Sequence, residues 1–82
     1  MASKSYENLV YIVTVESFNE DETAVAAFAS WMDAETFIDL KVNEEKELNG
    51  CFECTRSSGF ADCYLREDNL DDRITYRVRK PL

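Results

Sequence analysis

Seven consecutive residues, Leu9 to Val15 (LVYIVTV), constrain this chain more than any other stretch. β-Branched and aromatic side chains dominate the run, and they suit a pleated, extended backbone. In a strand, Leu9, Tyr11, Val13 and Val15 point one way and Val10, Ile12 and Thr14 the other. Both rows are largely apolar. Such a strand belongs inside a sheet with one side under a helix. The chain has 82 residues in which to supply neighbouring strands and cover. A domain of that size buries only roughly 60% of its unfolded surface, so one small core is all it can hold.

The next residues read as connection and partner. Ser17 to Glu22 (SFNEDE) is polar and acidic and suits a hairpin loop. Thr23 to Ala29 (TAVAAFA) then returns as a second strand. Its alanines would also suit a helix, but a better helix start follows directly. Ser30 with Asp33 resembles a capping box, and Asp33 and Glu35 suit the positive end of a helix dipole. Trp31, Ala34, Phe37, Ile38, Val42 and Leu48 recur at helical spacing, and Asn49-Gly50 is a stop signal. The expected helix spans 31–48, with Glu35, Asp39, Glu44, Glu47, Lys41 and Lys46 on its outer side. Trp31 is expected to cap the core, with an exposed interface anchor as the alternative.

Near the end, RITYRVRK alternates cleanly, with Ile74, Tyr76 and Val78 on one side and Arg73, Thr75, Arg77 and Arg79 on the other. Pro81 ends the run, and the acidic residues 67–72 connect into it. The arginines are expected to form cross-strand pairs or to blunt an edge strand, with anion binding as the alternative. The order ββαβββ makes residues 1–82 a single α+β domain: one helix on an antiparallel sheet of four to five strands. Phe37, Ile38 and Val42 are expected to meet Tyr11, Val13, Ile74 and Tyr76.

All three cysteines, Cys51, Cys54 and Cys63, lie within fifteen residues, NGCFECTRSSGFADC. The Cys-x-x-Cys spacing supplies two convergent thiolates, but structural zinc wants four ligands, and the chain has no histidine. A thioredoxin-like role needs the pair at a helix N-terminus, and no helical pattern follows it. The residues fit a hairpin better. With Ser58-Gly59 as a two-residue turn, Ser57 faces Phe60 and Cys54 lies opposite Cys63. Phe52, Cys54, Cys63 and Leu65 would share a face as interior groups. The same geometry would allow a Cys54–Cys63 disulfide in an oxidising setting. A small metal-binding module on Cys51, Cys54 and Cys63 stays as the alternative.

Other chemistry finds little footing. Nucleophilic catalysis usually needs an adjacent base such as His, a phosphate cradle needs more than Gly50 and Gly59, and the paired carboxylates lie in loop-like stretches. No enzyme activity and no cofactor are expected. No apolar run is long enough to span a membrane, the N-terminus lacks a signal-peptide core, and a reducing cytoplasm is the expected compartment. Net charge is −8, all of it in residues 1–50, which hold three Lys against eleven Asp or Glu. Direct nucleic-acid or membrane-surface binding is therefore not expected. A basic surface of another protein is the expected partner, met by Glu20, Asp21, Glu22, Glu35, Asp39 and Glu44. The alternative reading of the same charge is solubility alone. Edge-strand pairing into a homodimer is a further alternative.

Val10-Tyr11-Ile12-Val13, Phe28-Ala29-Ser30 and Ala34-Glu35 resemble a family of short, uncharacterised bacterial and phage accessory proteins. Its members open with a tyrosine-bearing strand, return through a hairpin partner and enter a capped helix. The resemblance covers roughly the first half and carries no active site with it. It implies a small mobile-element protein acting in the host cytoplasm. In its sharpest form, the expectation is an inhibitor that blocks the nucleic-acid-binding surface of a host defence or transcription protein.

Overall fold

The apolar run becomes β1 (Tyr11–Ser17), an interior strand. It pairs antiparallel with β2 (Glu20–Phe28) on one side and β5 (Arg73–Arg79) on the other. β5 also pairs with β4 (Phe60–Tyr64), and β4 with β3 (Glu53–Ser57), giving the order β2-β1-β5-β4-β3. The helix α1 (Trp31–Leu48) leads from β2 at one edge to β3 at the other and packs on one face of the sheet. This is the α+β architecture expected from the order of elements. The structure, a computed structural model, describes residues 10–80. Leu9 and Pro81, named above as a strand residue and a strand terminator, lie outside the described residues.

One expectation about β5 needs correcting. Its arginines do not blunt an edge, because β5 is the middle strand. Ile74, Tyr76 and Val78 face the helix side and join the core, which fixes the arginines on the uncovered face. The first hairpin also differs. The turn is Phe18-Asn19, Ser17 faces Glu20, and Glu20, Asp21 and Glu22 belong to β2, not to a loop. No non-glycine residue has a positive φ among the described residues, so the turn lacks the Asn-Gly type of signal that marks tight hairpins. A register shift opposite Val13 and Thr14 leaves Val25 without a direct partner on β1, a bulge in the edge strand.

Helix α1 starts and stops where its sequence signals lie. The Ser30 hydroxyl accepts the Asp33 N–H at 3.3 Å. At the other end, the Asn49 and Cys51 N–H groups both reach the Glu45 carbonyl, and Gly50 takes φ +75° to allow that turn. Ala34, Ile38, Val42 and Glu45 form the buried row. Leu48, expected to extend it, is 76% exposed in the last turn, and Glu45 holds the row's final place. Fully burying Ile38 contributes about 1.5–3 kcal/mol. It packs with Val13, Ala61, Cys63 and Tyr76, while Phe37 meets Phe28 with ring centroids 5.4 Å apart.

Trp31 does cap the core, with its ring edge-on to Tyr11 at 5.5 Å. It also lies against the second hairpin. There Ser58-Gly59 is the two-residue turn, Ser57 faces Phe60 and Cys54 faces Cys63, all as expected. Phe52 is the exception. Its N–H bonds the Tyr64 carbonyl while Glu53 is the residue aligned with Tyr64, and its ring is exposed. Gly59 has φ +69°, and a Cβ there would stand 2.7 Å from Trp31 Cη2. Gly50 has φ +75° and open space around it. Gly59→Ala is therefore expected to cost about 2–5 kcal/mol, combining left-handed strain with overpacking. Gly50→Ala should cost only the strain, about 1–2 kcal/mol. Urea unfolding of both variants checks this, and equal losses would remove the Trp31 contact as a constraint.

Candidate functional site

The six acidic residues expected to meet a partner do not share one face. Glu35 turns toward the second hairpin. It accepts the Gly59 N–H at 2.8 Å, Arg56 Nη2 at 2.9 Å and Trp31 Nε1 at 3.2 Å. Burial alone would raise its pKa, but the Gly59 and Arg56 donors outweigh that and hold it below its ordinary value. Asp39 accepts Arg56 Nε at 2.9 Å, and Glu44 accepts Lys41 Nζ at 3.2 Å. Glu22 lies on the uncovered sheet face, where it accepts the Thr14 hydroxyl and both Nε and Nη2 of Arg79, at 2.9 and 3.0 Å. Four of the six therefore belong to the chain's own ion pairs. Glu20 accepts only the Ser17 hydroxyl, at 2.9 Å, and Asp21 is exposed beside it; neither has a cation partner among the described residues.

The uncovered face is largely self-neutralised. Arg77 pairs with Glu16 at 3.0 Å and stands over the Phe60 ring, and the Thr75 hydroxyl donates to Asp62. Thr14 and Thr75 are only 8% and 7% exposed on this face, which no helix among the described residues covers. Their hydroxyls are taken up by acids of the same face, Thr14 by Glu22 and Thr75 by Asp62. A shallow cleft of about 340 Å³ at one end is lined by Arg73, Arg77, Glu16 and Asp71, two charges of each sign. The cross-strand arginine pairs expected from the sequence are thus present, and the anion-binding alternative loses Arg77 and Arg79 to them.

The cysteines are interior groups. Cys51 and Cys63 are buried, Cys54 is half-buried, and all three are free thiols. Burial pushes the Cys54 and Cys63 thiols above their ordinary pKa, and neighbouring sulfur pushes Cys63 further. The Cys51 thiol donates to the Glu53 carbonyl at 3.2 Å. Among the described residues, no group of three or more His, Cys, Asp or Glu side chains is placed to hold a metal ion, these three cysteines included. Metal ligation needs thiolates, and burial disfavours those of Cys54 and Cys63.

A second cleft, of about 550 Å³, opens on the helix side, between the β1–β2 hairpin and the C-terminal half of α1. Val15, Ile74 and Tyr76 line it together with Glu20, Asp21 and Glu45. Glu45 is 7% exposed. Its Oε2 accepts the Tyr76 hydroxyl and its Oε1 the Asn49 side-chain amide, both at 2.7 Å. Burial, then the Glu45 carboxylate, pushes the Tyr76 phenol well above its ordinary pKa. Sequence pattern does not reveal Glu45, because it reads as one more acid in NEEKEL on a solvated helix end. The only sign of it is spacing: Glu45 stands three residues after Val42 in the apolar row. Phe18, 59% exposed at the hairpin turn, is a further residue passed over.

Comparison with family models, with curated proteins and with solved structures finds no match to this chain.

Two measurements test the charge assignments. The Arg79 and Thr14 donors hold the Glu22 carboxyl at about 2, against an ordinary 4.5. A depressed folded-state value adds stability above about pH 4.5 that is lost as pH falls toward 2. Carboxyl NMR titration should place the Glu22 midpoint near 2 and show Arg79→Gln raising it toward 4.5; a wild-type midpoint near 4.5 would refute the pairing. In the interior, Tyr76→Phe removes one donor from the Glu45 carboxylate. Chemical denaturation should show a loss of about 1–3 kcal/mol, the cost of a buried polar group short of a partner.

Proposed function

We propose that this chain is a non-enzymatic interaction protein that offers the carboxylates at the end of its first hairpin to a basic surface of another protein. One observation carries the reading. Glu22, Glu35, Asp39 and Glu44 are held by Arg79, Arg56 and Lys41, whereas Glu20 and Asp21 stand exposed with no cation partner among the described residues. Phe18 lies at the adjoining turn with most of its ring in solvent, an apolar group of the kind that anchors interfaces. Acids already paired would have to break those pairs to serve a partner, so they contribute less. The contact is then a compact one at the hairpin end, and not a long row of anions imitating a nucleic-acid backbone. In its narrower form the proposal is an inhibitor whose hairpin occupies part of a basic, nucleic-acid-handling site of a host protein.

A second reading, self-association, rests on β2. Its outer edge is unpaired among the described residues, and Thr23 to Phe28 carry no charge. The Val25 bulge works against it, since bulges interrupt edge pairing. Light scattering separates the two, because a monomer has a mass of 9.5 kDa and a dimer twice that.

Affinity capture from host lysate is the direct test of the first reading. The wild-type chain and Glu44→Ser are expected to retain the same basic protein, with retention falling as salt rises. The double variant Glu20→Ser, Asp21→Ser should lose it while keeping the wild-type unfolding midpoint. Equal capture by the double variant would move the interface elsewhere.

A further inference from the structure

We propose that the cleft between the β1–β2 hairpin and the C-terminal half of α1 receives an arginine side chain of the partner. The inference rests on the reading of the hairpin as the partner-binding end, and it names the group that is bound. Val15, Ile74 and Tyr76 give the cleft an apolar floor, and Glu20, Asp21 and Glu45 bring three carboxylates to it with no Lys or Arg among its described lining residues. Its volume of about 550 Å³ lies within the ~300–1,000 Å³ typical of small-ligand sites.

Glu45 is the decisive member. It is 93% buried by the 7% exposure given above, and among the described residues its side-chain hydrogen bonds come only from a phenol and an amide, both neutral. Two half-buried acids do have an arginine, Glu35 with Arg56 and Glu22 with Arg79, whereas Glu45, more deeply buried than either, has no cation partner among the described residues. A buried carboxylate without a counter-charge is costly, so an incoming cation gains from meeting it. Each carboxylate oxygen can accept a second hydrogen bond. Ser17 and Thr23 add hydroxyls to the same lining.

The chemistry selects guanidinium. Its three-carbon stem suits apolar walls, and its fixed fork of five donors can serve several carboxylates together. It is also less strongly hydrated than an ammonium, so entering a half-enclosed cleft takes less from it. A bare metal ion would want a converging oxygen or thiolate set, and the described residues form none.

The test is an amide NMR titration of the intact chain with N-acetyl-arginine methylamide, using N-acetyl-norleucine methylamide as the uncharged control. The arginine probe should give saturable shifts at Ser17, Thr23 and Glu45, and the control should not. Two variants keep the rest of the spectrum as a check on folding: Asp21→Asn removes charge at the cleft, and Thr23→Tyr fills it without changing charge. Each should weaken the probe about tenfold or more, the scale of losing a charged hydrogen bond. Equal shifts from both probes, or probe binding untouched by Thr23→Tyr, would overturn the proposal. The wider reading fails separately. Partner capture lost in Glu20→Ser, Asp21→Ser but kept in Thr23→Tyr sinks the cleft and leaves the acidic contact. Probe binding at the cleft with capture unchanged by the double variant upholds the arginine site and sinks the wider reading.

Discussion

The pairing of β5 with both β1 and β4 is the constraint on which the rest of this fold depends. The hairpins β1–β2 and β3–β4 make no ladder with each other; the last strand joins them. β1 is near the start of the chain and β5 near its end, so the central ladder has to wait for long-range closure. Helix α1 eases that closure. It spans the face from the β2 side to the β3 side, and its row of Ala34, Ile38 and Val42 gives both hairpins a common surface to settle on. Tyr76 sits where the three meet: on β5, in the core, and bonded through its hydroxyl to the helix.

That same topology rearranges the charge. Along the sequence, all the net charge lies in the first half. In the folded chain the arginines of the second half reach back to it: Arg56 to Glu35 and Asp39, Arg77 to Glu16, Arg79 to Glu22. Each pair links elements far apart in sequence but adjacent in space. A charge run in sequence is therefore a poor guide to a charged face, because antiparallel neighbours can bring opposite signs together. These arginines do not reach Glu20 and Asp21, which have no cation partner among the described residues. Glu20 and Asp21 sit at the hairpin end of an edge strand, one strand removed from β5.

How much of this was readable in advance follows from how local each signal is. Helix 31–48 came from Ser30, the apolar period and Asn49-Gly50, all within the element itself. The Cys54–Cys63 register came from one glycine turn, since a two-residue loop fixes every pair behind it. The first hairpin offered no such glycine, so Glu20 to Glu22 read as loop and their strand pairing was lost. The middle position of β5 is a tertiary property. Alternation shows a strand with one buried face, but says nothing about which strands flank it. The candidate site was half legible: Glu20 and Asp21 carried a visible charge, whereas the Glu45 side of the cleft depends on Tyr76, thirty-one residues away.

Glu45 is also where the local rules are broken. A row running Ala34, Ile38, Val42 would close most stably on another apolar residue, because a well-packed hydrophobe often matches or exceeds a buried charge in stability. The chain instead places a carboxylate there and supplies Tyr76 and Asn49 to satisfy it. In a domain this small, with thin margins, such a choice has a real cost. Departures from local consistency concentrate at functional positions, because only function offsets the stability given up. Here the departure borders the same cleft as Glu20 and Asp21, which have no cation partner among the described residues. Two independent features, one a charge left unpaired at the surface and the other a charge kept inside, therefore point to one end of the molecule.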